Sequence, residues 1–442
     1  KSSSKRHKKN ILMAQQVIKI ALCGAGNVGG AVLELLTVNA DFYKKMFDTD
    51  FLVTDVVTKS GKLRGYKDKF NGNIHTDFES IINNDSIDVV IEVMGGIDDA
   101  YKVAKQALES KKDFITANKA MMSLHGDELF KLAENNNLFI GFEASVAGGI
   151  PIIRSLSSKA RIENISWFAG ILNGTSNYIL SKMESDGIEL KEGVKQAQEL
   201  GFAEADPTLD LNGTDAAQKG KVLSYLAFGS KLDSSIELDI EGIDIVESID
   251  FKFALELGYS IKPLSIGSYE KNRLILKSFP ALIQQSSILS KVNEEMNAIE
   301  VFTKDSGSNL FYGPGAGPKP TASSILSDLF DIAQNIKVNY SKFGQGLMEI
   351  SNNTFSCQRY LRLEVNDSPG VMAKISSFIA KQNLSIESVI QKEDFSQDGL
   401  IPIVIVLNEC NENELEELLN SFSNEKDIFK KIVHLRIFNP NK

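Results

Sequence analysis

Cysteine is scarce in this sequence of 442 residues: there are three, Cys23, Cys357 and Cys410, far apart along the chain. An odd count without short spacings gives neither a disulfide framework nor a metal-ligand pattern, and it fits a reducing, cytoplasmic setting. Long apolar runs are also missing. No stretch reaches the roughly 18 residues that cross a bilayer. An excess of positive charge is missing too: the formal net charge is −10. That sign argues against nucleic acid or an anionic membrane as the main partner. The basic opening KSSSKRHKK lacks the apolar segment of a secretory signal. Residues 1–13 are therefore read as a disordered tail outside the fold.

What remains is an ordinary globular composition, 43% hydrophobic and 24% charged, in a chain long enough for two or three domains. Val17 to Leu22 reads as a buried strand and Val28 to Thr37 as a helix. Strands follow at Phe51 to Val57, Asp88 to Val93, Asp113 to Thr116 and Leu138 to Gly141. Helices are expected at Tyr101 to Glu109 and Glu128 to Glu134. This alternation predicts a parallel α/β domain over residues 14–150. Strand-like stretches at Ile162 to Ile171, Ile261 to Tyr269 and Asn272 to Ser278 are mixed with helices and predict an α+β domain over 151–340. Its last helix, Ser323 to Asn335, is expected to return to the first domain. Residues 341–355 read as a linker. Residues 356–442 run strand, helix, strand, strand, helix, strand, with helices at Val371 to Lys381 and Glu412 to Phe422. That order is ferredoxin-like.

Gly24-Ala25-Gly26-Asn27-Val28-Gly29 fits G-x-G-x-x-G between a strand and a helix, the context in which the pattern cradles a pyrophosphate. Gly24 allows the tight turn, Gly26 the approach of the phosphates, and Gly29 the close packing of helix on strand. The bland alternative is a glycine-rich loop without a ligand. The second strand ends without an acidic residue in the usual ribose-binding place, and Asp55 falls early, inside the strand. Lys59, Lys62 and Arg64 follow instead. Cations there suit a 2′-phosphate, so NADP is favoured over NAD; the alternative is solvated loop lysines.

Between Glu204 and Asp215, four carboxylates (with Asp206 and Asp210) fall within twelve residues, and Lys219 follows. Pro207 and Gly213 mark a loop, and Thr214 is expected to cap a helix. Asp215 and Lys219 then share a helix face. An ammonium partly buried among carboxylates suits proton donation, and the carboxylates suit a substrate ammonium. A plain surface ion pair explains the spacing equally well. Asn118-Lys119 follows a strand end, and Asn173-Gly174-Thr175-Ser176-Asn177 follows another; each alone reads as a turn. His75 and His125 show no partner pattern and are read as structural or surface residues. Cys23 is read as a small strand residue.

Six blocks, GAGNVGG, TANKA, FEASVAGGIP, GILNGTSNYIL, GFAEADPTLDLNGTDAAQK and GPGAGPKPTASSILSDL, together resemble the homoserine dehydrogenase family over roughly residues 17–334. The resemblance implies reversible NAD(P)H-dependent reduction of L-aspartate 4-semialdehyde to L-homoserine. It implies Lys219 as proton donor, with Lys119 and Asp215 as its catalytic companions. It implies Glu204 and Asp210 on the substrate, along with Asn173, Gly174 and Thr175. The dinucleotide falls to Gly24 through Gly29, Lys59, Lys119 and Gly315. It further implies a monovalent cation, sodium, held mainly by backbone oxygens of Glu143, Val146, Gly148 and Ile150. Two positions depart from the family block: Phe202 replaces a tyrosine and Ala205 a proline. Neither removes a catalytic group.

The segment LRLEVNDSPGV from Leu361 resembles the opening of an ACT domain. That resemblance implies an amino-acid effector, threonine, at Asn366, Asp367 and Gly370. It also implies a homodimer or homotetramer. A packing module without ligand is the alternative. No aspartokinase-like region is expected, because the nucleotide domain starts near the first residue. Two competing functions stand beside the main reading: another oxidoreductase of an amino-acid-like substrate, and a sensor that has lost its chemistry.

Overall fold

The computed structural model describes residues 16–63, 70–270, 272–344, 348–392 and 399–439. The expected disordered tail at 1–13 lies outside them, as does Arg64.

The first domain builds one parallel sheet. Its elements are β1 (Gln16–Cys23), α1 (Asn27–Val38), α2 (Ala40–Phe47), β2 (Thr49–Val57), β3 (Asn73–His75), α3 (Glu79–Ile82), β4 (Val89–Glu92), α4 (Asp98–Glu109), β5 (Asp113–Thr116), α5 (Lys119–Asn135) and β6 (Ile140–Gly141). The strand order is β3-β2-β1-β4-β5-β6, all parallel. This is the doubly wound dinucleotide-binding order, with the reversal beside β1. Ile20, Leu22, Val89 and Ile91 point into one apolar layer; Ala21, Cys23, Val90 and Phe114 point into the other. Burial on both faces explains the near-continuous apolar runs.

The second domain follows with α6 (Ile152–Ala160), β7 (Ile165–Ile171), α7 (Gly174–Asp186), α8 (Leu190–Glu199), α9 (Thr208–Leu211), α10 (Thr214–Phe228), β8 (Asp239–Ile240) and α11 (Ser248–Glu256). It closes with β9 (Tyr259–Glu270), β10 (Arg273–Gln284), β11 (Met296–Thr303), β12 (Gly307–Pro314) and α12 (Pro318–Ala333). Helix α12 packs back on the first domain: Ala322, Ile325, Leu326 and Leu329 share a core with Ala31, Val32 and Leu36 of α1. The chain then forms β13 (Glu349–Ile350), which pairs with the start of β10, while the Asn352 side chain accepts the N–H of Leu276. Residues 348–355 are thus laid along the sheet.

The tail forms β14 (Cys357–Asn366), α13 (Val371–Lys381), β15 (Ile386–Gln391), β16 (Leu400–Cys410), α14 (Glu412–Ser423) and β17 (Phe429–Phe438). Its strand order, β17-β14-β16-β15, is the ferredoxin-like one. It is not a detached module. Strand β17 pairs in parallel with β10 through Ala281, Leu282 and Ile283, so tail and second domain share one sheet of eleven strands. The tail helices cover one face of their strands with Ile375, Ile379, Leu415 and Leu418. On the other face Tyr360, Val404, Val406 and Leu435 pack against Ile179 and Met183 of α7 and Phe251 and Phe253 of α11. At this seam the fully buried Arg362 donates to Asp250 at 2.7 and 3.1 Å and to Glu247 at 2.6 Å, and it also pairs with Glu364. The Tyr360 hydroxyl donates to Asp250 at 2.8 Å. Among the described residues no helix is long and apolar enough to cross a membrane.

Three local expectations are corrected. Asn118-Lys119 is no plain turn but the start of α5. Asn118 Oδ1 accepts the N–H of Met121, and the helix runs nine residues ahead of the expected Glu128. Gly126 in its middle masked it: the glycine is there because Leu232 lies 2.7 Å from where a Cβ would sit. Thr214 does not cap α10. Gly213 does, in the left-handed conformation, while Asn212 Oδ1 takes the N–H of Thr214. Strand β10 continues past the expected Ser278 to Gln284, with Pro280 facing Pro263 across the pair.

Removing one partner of a buried ion pair leaves an uncompensated charge, at a cost of about 3–5 kcal/mol. Asp250→Ala is expected to lower stability by about that much in a chemical denaturation. In an Arg362→Met background the same change is expected to cost far less. Equal losses in both backgrounds would show that the pair is not coupled.

Candidate functional site

The glycine turn after β1 has the predicted shape. Gly24 has φ of +108°, and a Cβ there would lie 2.6 Å from the Val93 carbonyl oxygen. A Cβ on Gly29 would come within 2.0 Å of the Gly24 oxygen. Gly26 differs: nothing lies within 4 Å of its missing Cβ. It is the N-cap of α1, no side chain caps this helix, and no acidic residue sits in its first turn. Ala25, Asn27 and Val28 lie in the same turn, where the first N–H groups of a helix have no intrahelical partner, as a pyrophosphate site requires.

Near the end of β2 the Asp55 carboxylate is buried and held by β3. It accepts from His75 at 2.8 Å and from Asn73 at 3.1 Å. His75 thus has a partner that its sequence context did not reveal. His125 stacks on Tyr101 with ring centroids 4.1 Å apart. Lys59 is exposed and stands 3.8 Å from Asp99. Cys23, Cys357 and Cys410 are free and buried, and burial pushes each thiol up.

The dominant feature is Asp215, in the first turn of α10 and 7% exposed. Lys219, one turn on, donates to its Oδ2 at 2.7 Å. Lys119, the first residue of α5, stands 3.0 Å from its Oδ1. The Asn173 amide donates to Asp215 at 2.8 Å and to Asp210 at 2.7 Å. Burial opposes ionisation of Asp215, but Lys219 and Lys119 outweigh it and hold the carboxyl well below its usual range. Asp215 in turn raises Lys119, against burial. Burial pushes Asp210 up, opposed by the bond from Asn173. Lys219 also donates to the Leu172 carbonyl at 2.7 Å. Two of its three N–H groups are therefore committed, and one is left for a ligand oxygen.

Asn173 does double service, since its Oδ1 caps α7 by accepting the N–H of Ser176 at 2.7 Å. Gly174 opens that helix against the Glu295 carbonyl, which would lie 2.5 Å from a Cβ. The Thr175 hydroxyl is already committed to the Phe202 carbonyl at 2.6 Å. Glu204 is exposed at the rim, near enough to add to the field on Lys119.

The residues carried over for a cation lie at the hinge between the first two domains. Glu143 is buried; its carboxylate accepts the N–H groups of Ile153 and Arg154 at 2.8 and 2.9 Å, at the start of α6. Val146 and Ile150 are buried, and Ala147 and Gly148 both have positive φ. The Gly148 carbonyl accepts from Ser324 of α12, and Gly315 packs on Gly148. The Ile150 carbonyl likewise accepts the N–H of Ile152 at 2.8 Å, so both oxygens have protein donors in this structure. In the tail, Asn366 donates to the Asp427 carbonyl at 2.9 Å; Asp367 is exposed, and Gly370, with φ of +94°, precedes α13.

Sequence reasoning missed Glu92. Fully buried at the end of β4, it accepts from Thr116 at 2.6 Å and from the Met94 N–H at 2.7 Å, tying together two strand ends beneath the cofactor crevice. It also missed Asn118 as the residue that sets Lys119, its amide donating to the Gly96 carbonyl at 2.5 Å. Nothing in either local sequence signals these pairings.

Known proteins match along the whole chain. The profile for the homoserine dehydrogenase NAD-binding domain matches residues 24–143, that for homoserine dehydrogenase 151–330, and that for the ACT domain 359–425. The homoserine dehydrogenase of Helicobacter pylori is 38% identical over 96% of this chain and 99% of its own. The crystal structure of the homoserine dehydrogenase from Thiobacillus denitrificans superposes with a TM-score of 0.89 at 32% identity, over 96% of this chain and all of that one. A hyperthermophilic archaeal homoserine dehydrogenase in complex with NADPH superposes at 0.61 and 25% identity, over 72% of this chain and 98% of that one.

Asp215→Asn keeps the shape and removes the charge between two ammoniums. We expect kcat/KM to fall by about 100-fold or more, on the scale of losing a preorganised charge. The ammonium of Lys119 loses what raises it, so the basic limb of the pH–rate profile is expected to move to lower pH. A variant with wild-type kcat/KM and an unmoved basic limb would remove Asp215 from the mechanism.

Proposed function

This chain belongs to the homoserine dehydrogenase family, and from that membership we propose how its residues divide the reaction. It is an NAD(P)-dependent oxidoreductase acting on a CH–OH group, with an ACT domain at its C-terminal side. We read the substrates as L-aspartate 4-semialdehyde and L-homoserine, with NADPH preferred over NADH. Support for NADPH comes from Lys59 and from Asp55, whose carboxylate is engaged by His75 and Asn73.

The observation that carries the mechanism is the Asp215 carboxylate held between Lys119 and Lys219. The bound dihydronicotinamide supplies the hydride to the aldehyde carbon. Lys219 presents its remaining N–H to the carbonyl oxygen and gives it the proton as the alkoxide develops. Lys119 supports the same oxygen electrostatically, and Asp215 fixes both ammoniums so that little reorganisation is needed. Glu204 and Asp210 take the substrate ammonium, and the Asn173-Gly174-Thr175 turn closes the pocket around it. Gly24 to Gly29 and Gly315 line the dinucleotide. The carbonyls of Val146, Gly148 and Ile150, with Glu143, would hold a sodium ion that stiffens the hinge.

The tail is read as a threonine-responsive domain, with Asn366, Asp367 and Gly370 lining the effector loop. Support is the ACT profile match and the exposed glycine-ended turn before α13. The assembly is read as two or four copies, and the setting as cytoplasm.

The decisive assay follows NADPH absorbance after addition of L-aspartate 4-semialdehyde, with and without threonine. Wild type is expected to oxidise NADPH. Lys219→Ala is expected to lose about 10²–10⁴-fold in kcat, the usual scale for a general acid, while still binding NADPH. Threonine is expected to depress the wild-type rate. A folded, NADPH-binding wild type that leaves the aldehyde untouched would favour a sensor without catalysis. An unaffected rate at saturating threonine would leave the tail a packing module.

A further inference from the structure

One buried polar side chain near the site has no use in the mechanism above. Asn297, in β11, is 0% exposed, and among the described residues neither its Nδ2 nor its Oδ1 has a hydrogen-bond partner. A buried carboxamide with both ends unpaired is costly and is ordinarily avoided. Its position is rigidly set. Asn177 donates to the carbonyls of Val292, Glu294 and Met296, which pins the chain immediately before it.

Asn297 is wedged between glycines of two different motifs. Its Oδ1 lies 3.6 Å from where Gly174 would carry a Cβ. On the other side Gly315 lies directly on the carboxamide: a Cβ there would come within 2.0 Å of Cγ and 2.1 Å of Nδ2. Gly315 in turn touches Gly148 of the turn after β6.

The strand order says which part of the dinucleotide comes here. The pyrophosphate sits over the turn after β1, and the adenosine half extends over β2. The nicotinamide half must then lie over β4 and β5, on the side of Lys119 and the 143–150 turn. Asn297 is on that side, and Gly174 joins it to Asn173 and to Leu172, whose carbonyl holds Lys219.

We propose that the carboxamide of Asn297 is the binding partner of the nicotinamide carboxamide, exposed to it when the Gly315 backbone swings aside as the cofactor enters. The chemistry matches at both ends: Nδ2 donates to the nicotinamide carbonyl, and Oδ1 accepts from its NH2. Glycine at 315 is what lets the covering backbone lie so close without the cofactor and retreat with it. The proposal rests on the dehydrogenase reading above and assigns it a further cofactor-binding residue.

The test uses the full chain and homoserine oxidation. NADP+ is compared with its 3-acetylpyridine analogue, in which a methyl replaces the NH2, for wild type, Asn297→Ala and Asn297→Ser. In Asn297→Ala we expect KM for NADP+ and Kd for NADPH to rise about 10- to 100-fold, the scale of two lost hydrogen bonds in a desolvated site. The KM for homoserine should change by less than about twofold, and the KM preference for the carboxamide cofactor over the acetyl analogue should disappear. The ligand-free melting temperature should hold or rise, because the resting enzyme loses only an unpaired group; a purely structural asparagine would lower it. If the alanine variant does not fold, the smaller change to serine is read by the same KM ratio. Unchanged cofactor KM values, or a rise confined to homoserine, overturn the proposal. A wild type with no turnover on either cofactor would instead bring down the reading beneath it.

Discussion

The cluster to which we assign the chemistry hangs on one ionised carboxylate. Asp215 is buried, and a buried charge without partners is far too costly to keep. Its partners come from both sides of a domain boundary: Lys119 from the nucleotide-binding domain, and Lys219 and Asn173 from the second domain. The site therefore exists only while the two domains are docked. That docking is itself apolar: α12 lies on α1, and Val222, Leu223 and Leu226 of α10 share a core with Met122, Leu129 and Phe130 of α5. Packing of the ordinary kind sets the distance between the two lysines, and the carboxylate converts that distance into chemistry.

The parts of this design that were legible in the sequence are those carried by local pattern. Strand β5 and helix α13 fall on the expected residues, because apolar period and flanking turn residues agree there. The pairing of Asp215 with Lys219 was legible as a helical spacing, and the glycine turn as a motif in context. What was not legible depends on contacts between distant segments. Asn173 looked like a turn residue, and only the tertiary fold brings Asp210 and Asp215 to its amide. Glu92 reads as the end of an apolar strand until Thr116 is seen beside it. The α5 start was hidden because a helix interior with Gly126 looks weak locally, although Leu232 makes that glycine necessary.

The seam between the tail and the rest follows another logic. Arg362, Asp250, Glu247 and Tyr360 form a buried polar cluster within an otherwise apolar contact. Such clusters add little net stability but tolerate little misalignment. Asp250 and Glu247 reach Arg362 from across the seam while Glu364 holds it from its own strand, so a slip of the tail sheet would break both cross-seam pairs. Tail strands touch α7, and α7 is capped by Asn173. A change at the tail thus has a continuous packed route to the residue that holds Asp210 and Asp215.

The parallel pairing of β10 with β17 also bears on how the protein is made. Strand β10 leaves the ribosome roughly 150 residues before β17, on the order of ten seconds earlier at ordinary rates of synthesis. During that interval, among the described residues, this edge of a long apolar strand is covered only in part, by the two-residue strands β8 and β13 and the side chain of Asn352. An uncovered edge of this kind is a template for pairing with another chain. The ACT domain is therefore also the piece that finishes the sheet of the second domain, and shortening it would affect solubility and yield whatever else the domain does.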